Sequence, residues 1–266
     1  MQDRYHNLLK RRLQSEIQRH PPLFPWETEL SDYEATESAS FISEQTNPAP
    51  LWITQLRQFE LPVTLPERVL SQLLELCQSA AQTTLLEGAK IVQAVESLFP
   101  GQGSTLNQLA QVVMMSPVRS GGGTQLPPAV QQHLPQSYET ANSVQQMLLS
   151  LLAAREIVSS LTIQVSSEAS TVERQWQTER GPLLLEVQYQ PQETSRLRVQ
   201  VWFPVGGSLK LFSQSSQSVA QRSTSGYGSA ELFEPQLQQN HLLEIQLDGS
   251  QQPPLVFSIQ LTPAQG

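Results

Sequence analysis

The chain predicts an α+β protein, with an N-terminal helical domain followed by a C-terminal antiparallel β-sandwich. Three observations carry this. Apolar residues recur at helical spacing through residues 51–161. The apolar period switches to two after residue 162. Turn clusters then cut the alternating stretch into short runs, and its 105 residues suit a sandwich.

The elements follow in chain order. Asp3 to Arg19 places Tyr5, Leu8, Leu9, Leu13 and Ile17 on one helical stripe, with five basic residues against two acidic ones. His20-Pro21-Pro22 ends that helix, because proline disfavours helical geometry in the residue before it. Leu23-Phe24-Pro25-Trp26 then forms a compact apolar and aromatic knot. Residues 1–26 thus read as an amphipathic helix plus an aromatic docking motif. Residues 27–50 carry Glu27, Glu29, Asp32, Glu34, Glu37 and Glu44 with no basic residue. Such a stretch buries too little apolar area to offset its ordering entropy and is expected to be an acidic flexible linker.

The helical domain is expected over 51–161. Leu51 to Phe59 forms a short helix. A second begins at Pro66 with the stripe Val69, Leu70, Leu73, Leu74 and Cys77. Thr84-Leu85-Leu86-Glu87 has capping-box spacing and opens a third helix through Ala89, Val92, Val95 and Phe99. Pro100-Gly101 stops it. Leu106 to Met115 is a fourth, residues 117–135 a loop, and the last helix runs from about Ser137 to about Ser160. The β-sandwich domain is expected over 162–266, with about eight strands. Leu183, Leu185, Val187 and Tyr189 share one face of a strand. Leu197, Val199, Val201 and Phe203 share a face of another, as do Leu243, Ile245 and Leu247, and Leu255, Phe257, Ile259 and Leu261. No helix-length pattern interrupts these runs, which argues against a parallel sheet.

Composition narrows the function classes. The formal net charge is -8, with 16 Lys+Arg against 24 Asp+Glu. Lys and Arg neutralising phosphates dominate DNA affinity, so direct nucleic-acid binding is not expected. Between Leu51 and Leu161 the basic residues Arg57, Arg68, Lys90, Arg119 and Arg155 are scattered, unlike a basic recognition helix. Charged residues are 15% of the chain, and the 37 Gln make much of the polar surface neutral amide. One Cys excludes an internal disulfide framework. The most apolar window, Val144 to Leu161, contains Arg155 and Glu156 and falls short of a spanning helix. The charged N-terminus has no signal-peptide pattern, so the expected placement is cytoplasmic and off the membrane.

No catalytic constellation is visible, and the expectation is a protein that is not an enzyme and holds no cofactor or metal. His6, His20, His133 and His241 are scattered, and no H-E-x-x-H, C-x-x-C or EF-hand loop occurs. Cys77 sits on a helical apolar stripe, where a buried structural thiol is the ordinary reading. Gly101–Ser104 follows a helix rather than a strand, and neither it nor Gly121–Thr124 is followed by the Lys-Ser/Thr pair that a phosphate loop needs. There is no G-x-S-x-G. Ser225–Ser229 reads as a hairpin connection, and Glu231 and Glu234 as solvated carboxylates.

The candidate contact residues are therefore Leu23, Phe24 and Trp26 of the docking motif, with Arg11 and Arg12 on the basic helix, and Trp202. Trp is enriched among interface hot spots. Phe24 and Trp26 either meet a partner or fold back onto the chain's own core. Trp202 faces outward from an alternating strand. On a bare face it could stack on a sugar or cover a partner; under the helices it would be inter-domain core.

The stretch RRLQSEIQRHPPLFPWETELSDYE, from Arg11 to Glu34, resembles the opening of cyanobacterial PatU-type heterocyst pattern-formation proteins. LPERVLSQLLELCQSAAQTTLLEGAKIVQAVESLFPGQ and SPVRS at Ser116 to Ser120 are similar too. The resemblance covers about the first 120 residues and supplies no active-site residues. It implies a regulatory protein of heterocyst differentiation, working by contact with protein partners such as a HetZ-type transcription factor. The alternative is a β-sandwich module that binds a carbohydrate or another ligand, with Trp202 as its platform and Gln side chains as hydrogen-bond partners.

Overall fold

The computed structural model describes residues 51–116, 134–191, 194–214, 216–237 and 239–262, all within one compact unit, Thr46–Gly266. The architecture is α+β: helices followed by two mostly antiparallel sheets packed as a sandwich.

Five helices precede the strands among the described residues: α1 (Ile53–Leu56), α2 (Glu67–Ala81), α3 (Glu87–Glu96), α4 (Gly103–Met115) and α5 (Ser143–Leu161). Pro66 is the N-cap of α2, whose Leu70, Leu73, Leu74 and Cys77 turn inward as their spacing requires. Most of the expected apolar face of α3 is buried: Val92 and Val95 are in the core and Phe99, just beyond the helix, packs against it. The departures are Ala89, which is exposed, and Ile91 and Ala94, which are buried as well. The capping box at Thr84 does not form. Helix α3 starts too late for it, at Glu87, with Leu86 extended at the N-cap and no side-chain cap. The box occurs instead at α5, where Asn142 Oδ1 accepts from Gln145 N and Asn142 N donates to Gln145 Oε1, both at 2.9 Å.

Helix α5 is the hub against which α2, α3 and α4 pack. Leu148 through Ala154 are all buried, so every side of this helix meets protein. That explains why its apolar window looks almost long enough for a membrane. Arg155 on α5 donates to the carbonyls of Val113 and Ser116 at the end of α4, where a cation also favours the helix dipole.

Nine strands follow among the described residues. They are β1 (Thr162–Ser166), β2 (Thr171–Thr178), β3 (Gly181–Gln190), β4 (Arg196–Phe203), β5 (Gly207–Phe212), β6 (Gln217–Arg222), β7 (Gly226–Phe233), β8 (Asn240–Leu247) and β9 (Leu255–Thr262). One sheet has the order β1-β9-β8-β5-β6 and the other β2-β3-β4-β7. Period-two burial is clearest in β4 and β8, as their alternation dictates. Among the described strands every pairing is antiparallel, as expected of an antiparallel sandwich, except β1 with β9, which is parallel. The helical run passes straight from Leu161 into Thr162, and this delivers β1 parallel to the last strand.

Helices and sheets share one continuous core. Helices α2 and α5 lie over β9, so β9 is buried on both faces. The ends of β9 and β2 are tied to the helical part by backbone-directed bonds. Val256 N donates to Gln78 Oε1 at 2.7 Å, beyond the reach of β1. Leu51 N donates to Gln252 Oε1 and Trp52 Nε1 to the Pro253 carbonyl, while Gln177 N donates to Gln55 Oε1. Residues 51–55 thus staple the two sheets together along one open side, satisfying edge groups that would otherwise be left unpaired.

Candidate functional site

The outer face of the four-stranded sheet brings separated residues into rows. The register places Gln175, Leu184, Trp202 and Tyr227 side by side across β2, β3, β4 and β7. The next row is Glu173, Glu186, Gln200 and Ser229. Trp202 is half-buried and lies edge-on to Tyr227, with ring centroids 4.8 Å apart and planes at 69°. Tyr227 keeps 55% of its surface exposed and Leu184 keeps 39%, so the row meets solvent. The helices pack against β1, β2 and β9 rather than over this row. Trp202 is therefore a surface residue beside an exposed ring, not inter-domain core.

Local chemistry fixes the row. Gly226, with φ of 138°, begins β7, and Arg222 donates to the Tyr227 carbonyl at 2.9 Å, holding the β6–β7 turn. The adjoining polar rows are ordered too. Glu231 lies 3.4 Å from Arg196 and 3.5 Å from Arg198, so it belongs to a charge network and is not simply solvated. Beside the aromatic row lies a groove of about 330 Å³, whose lining includes Glu173, Arg174, Gln175, Glu186, Gln200 and Tyr227. Such a face can bury an apolar side chain and offer amides and carboxylates at its margin.

Tyr227 and Leu184 escape sequence reasoning. Ser225–Ser229, expected to be a hairpin connection, in fact leads into β7 at Gly226, and two glycines there mask the alternation. Cross-strand register alone joins Tyr227 to Trp202, and no local pattern encodes it. Leu23, Phe24, Trp26, Arg11 and Arg12 lie outside the described residues, as do the acidic linker and His6, His20 and His133.

The other candidate groups are placed in the interior. Burial pushes the Cys77 thiol up, away from the thiolate that a ligand or nucleophile needs. Among the described residues no three His, Cys, Asp or Glu gather as metal ligands, and no helix is long and apolar enough to cross a membrane. His241 is fully buried. Its Nε2 is 3.1 Å from the Gln236 carbonyl, and its Nδ1 has no partner among the described residues. Desolvation lowers its pKa from the ordinary 6.5, opposed in part by that carbonyl. The unfolded imidazole then takes up a proton before the folded one does. Stability due to His241 is complete above pH of about 6.5 and declines as pH falls toward the depressed folded value. Urea melts of the wild type and of His241→Gln between pH 8 and pH 5 check this: the wild type should lose more stability on acidification than the variant.

No family model matches the chain, and neither the curated proteins nor the solved structures contain a match.

Proposed function

We propose that this chain is a non-enzymatic regulatory protein that acts by protein–protein contact, and that its folded contact face is the outer side of the four-stranded sheet. The carrying observation is the solvent-facing row Leu184–Trp202–Tyr227, flanked by the carboxylates of Glu173 and Glu186. Aromatic residues clustered on an open face are the usual anchors of interfaces. The complementary partner surface presents an apolar or aromatic side chain over the row and a Lys or Arg facing the two carboxylates. The likeness of the first 120 residues to PatU-type proteins supports a role in heterocyst differentiation with a HetZ-type transcription factor. In that setting Leu23, Phe24 and Trp26, with Arg11 and Arg12, form a second, tethered contact.

Calorimetric titration of the full chain with a HetZ-type factor tests this reading. Tyr227→Ala should weaken binding by more than about tenfold, since hot-spot truncations cost about 2 kcal/mol or more. Tyr227 is exposed, so this variant should keep the wild-type melting curve. Removing residues 1–30 should weaken binding further. Unchanged affinity in Tyr227→Ala removes the sheet face from the proposal, and unchanged affinity after the truncation removes the docking motif.

A carbohydrate-binding role has one supporting observation, the groove that sets Tyr227 beside Gln175 and Gln200. The edge-on pair at 69° weighs against it, because the two rings cannot both lie flat along one sugar chain. A glycan that raises the melting temperature of the wild type but not of Trp202→Ala would favour this second reading.

A further inference from the structure

A second site lies in a cleft between the helices and the open side of the sandwich, and Arg174 stands between it and the groove beside the aromatic row, lining both. Its volume is about 530 Å³, and it is lined by the segment Thr84–Glu87, by Lys90 and by residues of β1, β2 and β9. That is within the range of small-metabolite sites, roughly 300–1,000 Å³.

Its polar groups converge from separate elements. Lys90 is only 3% exposed. Its ammonium donates to the Ala81 carbonyl at 3.2 Å, which pins it at the end of α2. An ammonium has three donors, so two are left for the cleft. Arg174 comes from the other sheet. It shares the inward face of β2 with buried Trp176, but β2 is an edge strand, so its side chain reaches the open side. Helix α3 adds the positive end of its dipole, because its first turn opens at the cleft and no side chain caps it. Glu87 is the opposing charge, which leaves the lining with two cations against one anion. Hydroxyls and amides fill in the rest, among them Thr162, Gln164, Gln260 and Thr262. Asn240 Nδ2 donates to the Thr83 carbonyl at 2.9 Å and fixes the α2–α3 loop to the sheet, so this wall is preformed.

We propose that this cleft binds a small hydroxylated oxyanion, with its anionic head between Lys90 and Arg174 and its hydroxyls on the neutral amides. Arg offers a planar fork that matches carboxylate or phosphate oxygens, and Lys a point charge. Desolvation alone lowers the Lys90 pKa, although Glu87 opposes it, so a bound anion would relieve a cost already present in the fold.

Titrating the full chain calorimetrically with glucose 6-phosphate, gluconate, inorganic phosphate and glucose, at ionic strength matched with sodium chloride, is the test. At least one of the two hydroxylated anions should bind more tightly than inorganic phosphate and than glucose. Preference for glucose 6-phosphate assigns a phosphate head, and preference for gluconate a carboxylate head. Arg174→Gln, at an exposed position, should weaken that binding about tenfold, the loss of roughly one charge-assisted contact. Lys90→Gln should weaken it at least as much. Binding by none of the anions overturns the proposal. So does inorganic phosphate binding as well as either hydroxylated anion, or an affinity unchanged in Arg174→Gln.

Discussion

Phe203→Ala should lower the unfolding free energy by about 3–5 kcal/mol, the usual cost of deleting a core aromatic ring. Phe203 has no exposed surface. Its ring lies between two glycines, one from each sheet. A methyl placed on Gly207 of β5 would stand 2.8 Å from its Cδ1, and one on Gly228 of β7 would stand 3.0 Å from its Cε2. Glycine carries no side chain that could swing into the vacated space, so the cavity would persist rather than close. The large value in the range is expected for that reason. Urea denaturation, with the slope unchanged and the midpoint lowered, is the measurement. A loss below about 1 kcal/mol would show that the two sheets can collapse around the gap.

Gly207→Ala should destabilise by about 1–3 kcal/mol from the opposite direction, by overpacking. Its added methyl would stand 2.6 Å from the Gln246 carbonyl oxygen as well as 2.8 Å from the Phe203 ring. The ring can shift, but Gln246 is backbone of β8, and Gly207 is paired with Leu247 on that same strand. The strand pair must therefore open locally. Combining Gly207→Ala with Phe203→Leu should recover only part of the loss, because the smaller side chain relieves one clash and leaves the carbonyl contact. Full recovery in the double variant would place all the strain in the ring. Thermal melts of the two single variants and the double variant decide between these outcomes.

These two glycine contacts also show where sequence reading stops. The inward residues of β3, β4, β8 and β9 were legible because an alternating strand must put one set of side chains inside. The stripe of α2 was legible for the analogous helical reason. The strand β6, QSVAQR, carries no apolar alternation, since as an edge strand it buries little. The parallel pairing of β1 with β9 joins segments far apart in the chain, and no local pattern records it. The same holds for the site. Trp202 was visible as an outward residue, but its neighbours Leu184 and Tyr227 became neighbours through register alone. Lys90 looked like one of several scattered cations. Its burial and its carbonyl partner at Ala81 follow from the turn between α2 and α3, which the spacing at Thr84 misplaced.

The direct passage from α5 into β1 has a mechanical consequence. A loop between two elements acts as slack and absorbs displacement, but Leu161 and Thr162 leave none. Helix and strand behave as a crank and its shaft. Three other helices lean on the crank, and the shaft lies along β9 at the edge of the sheet beneath them. A displacement of α5 is therefore expected to reach the five-stranded sheet through β1, with no connecting loop to absorb it.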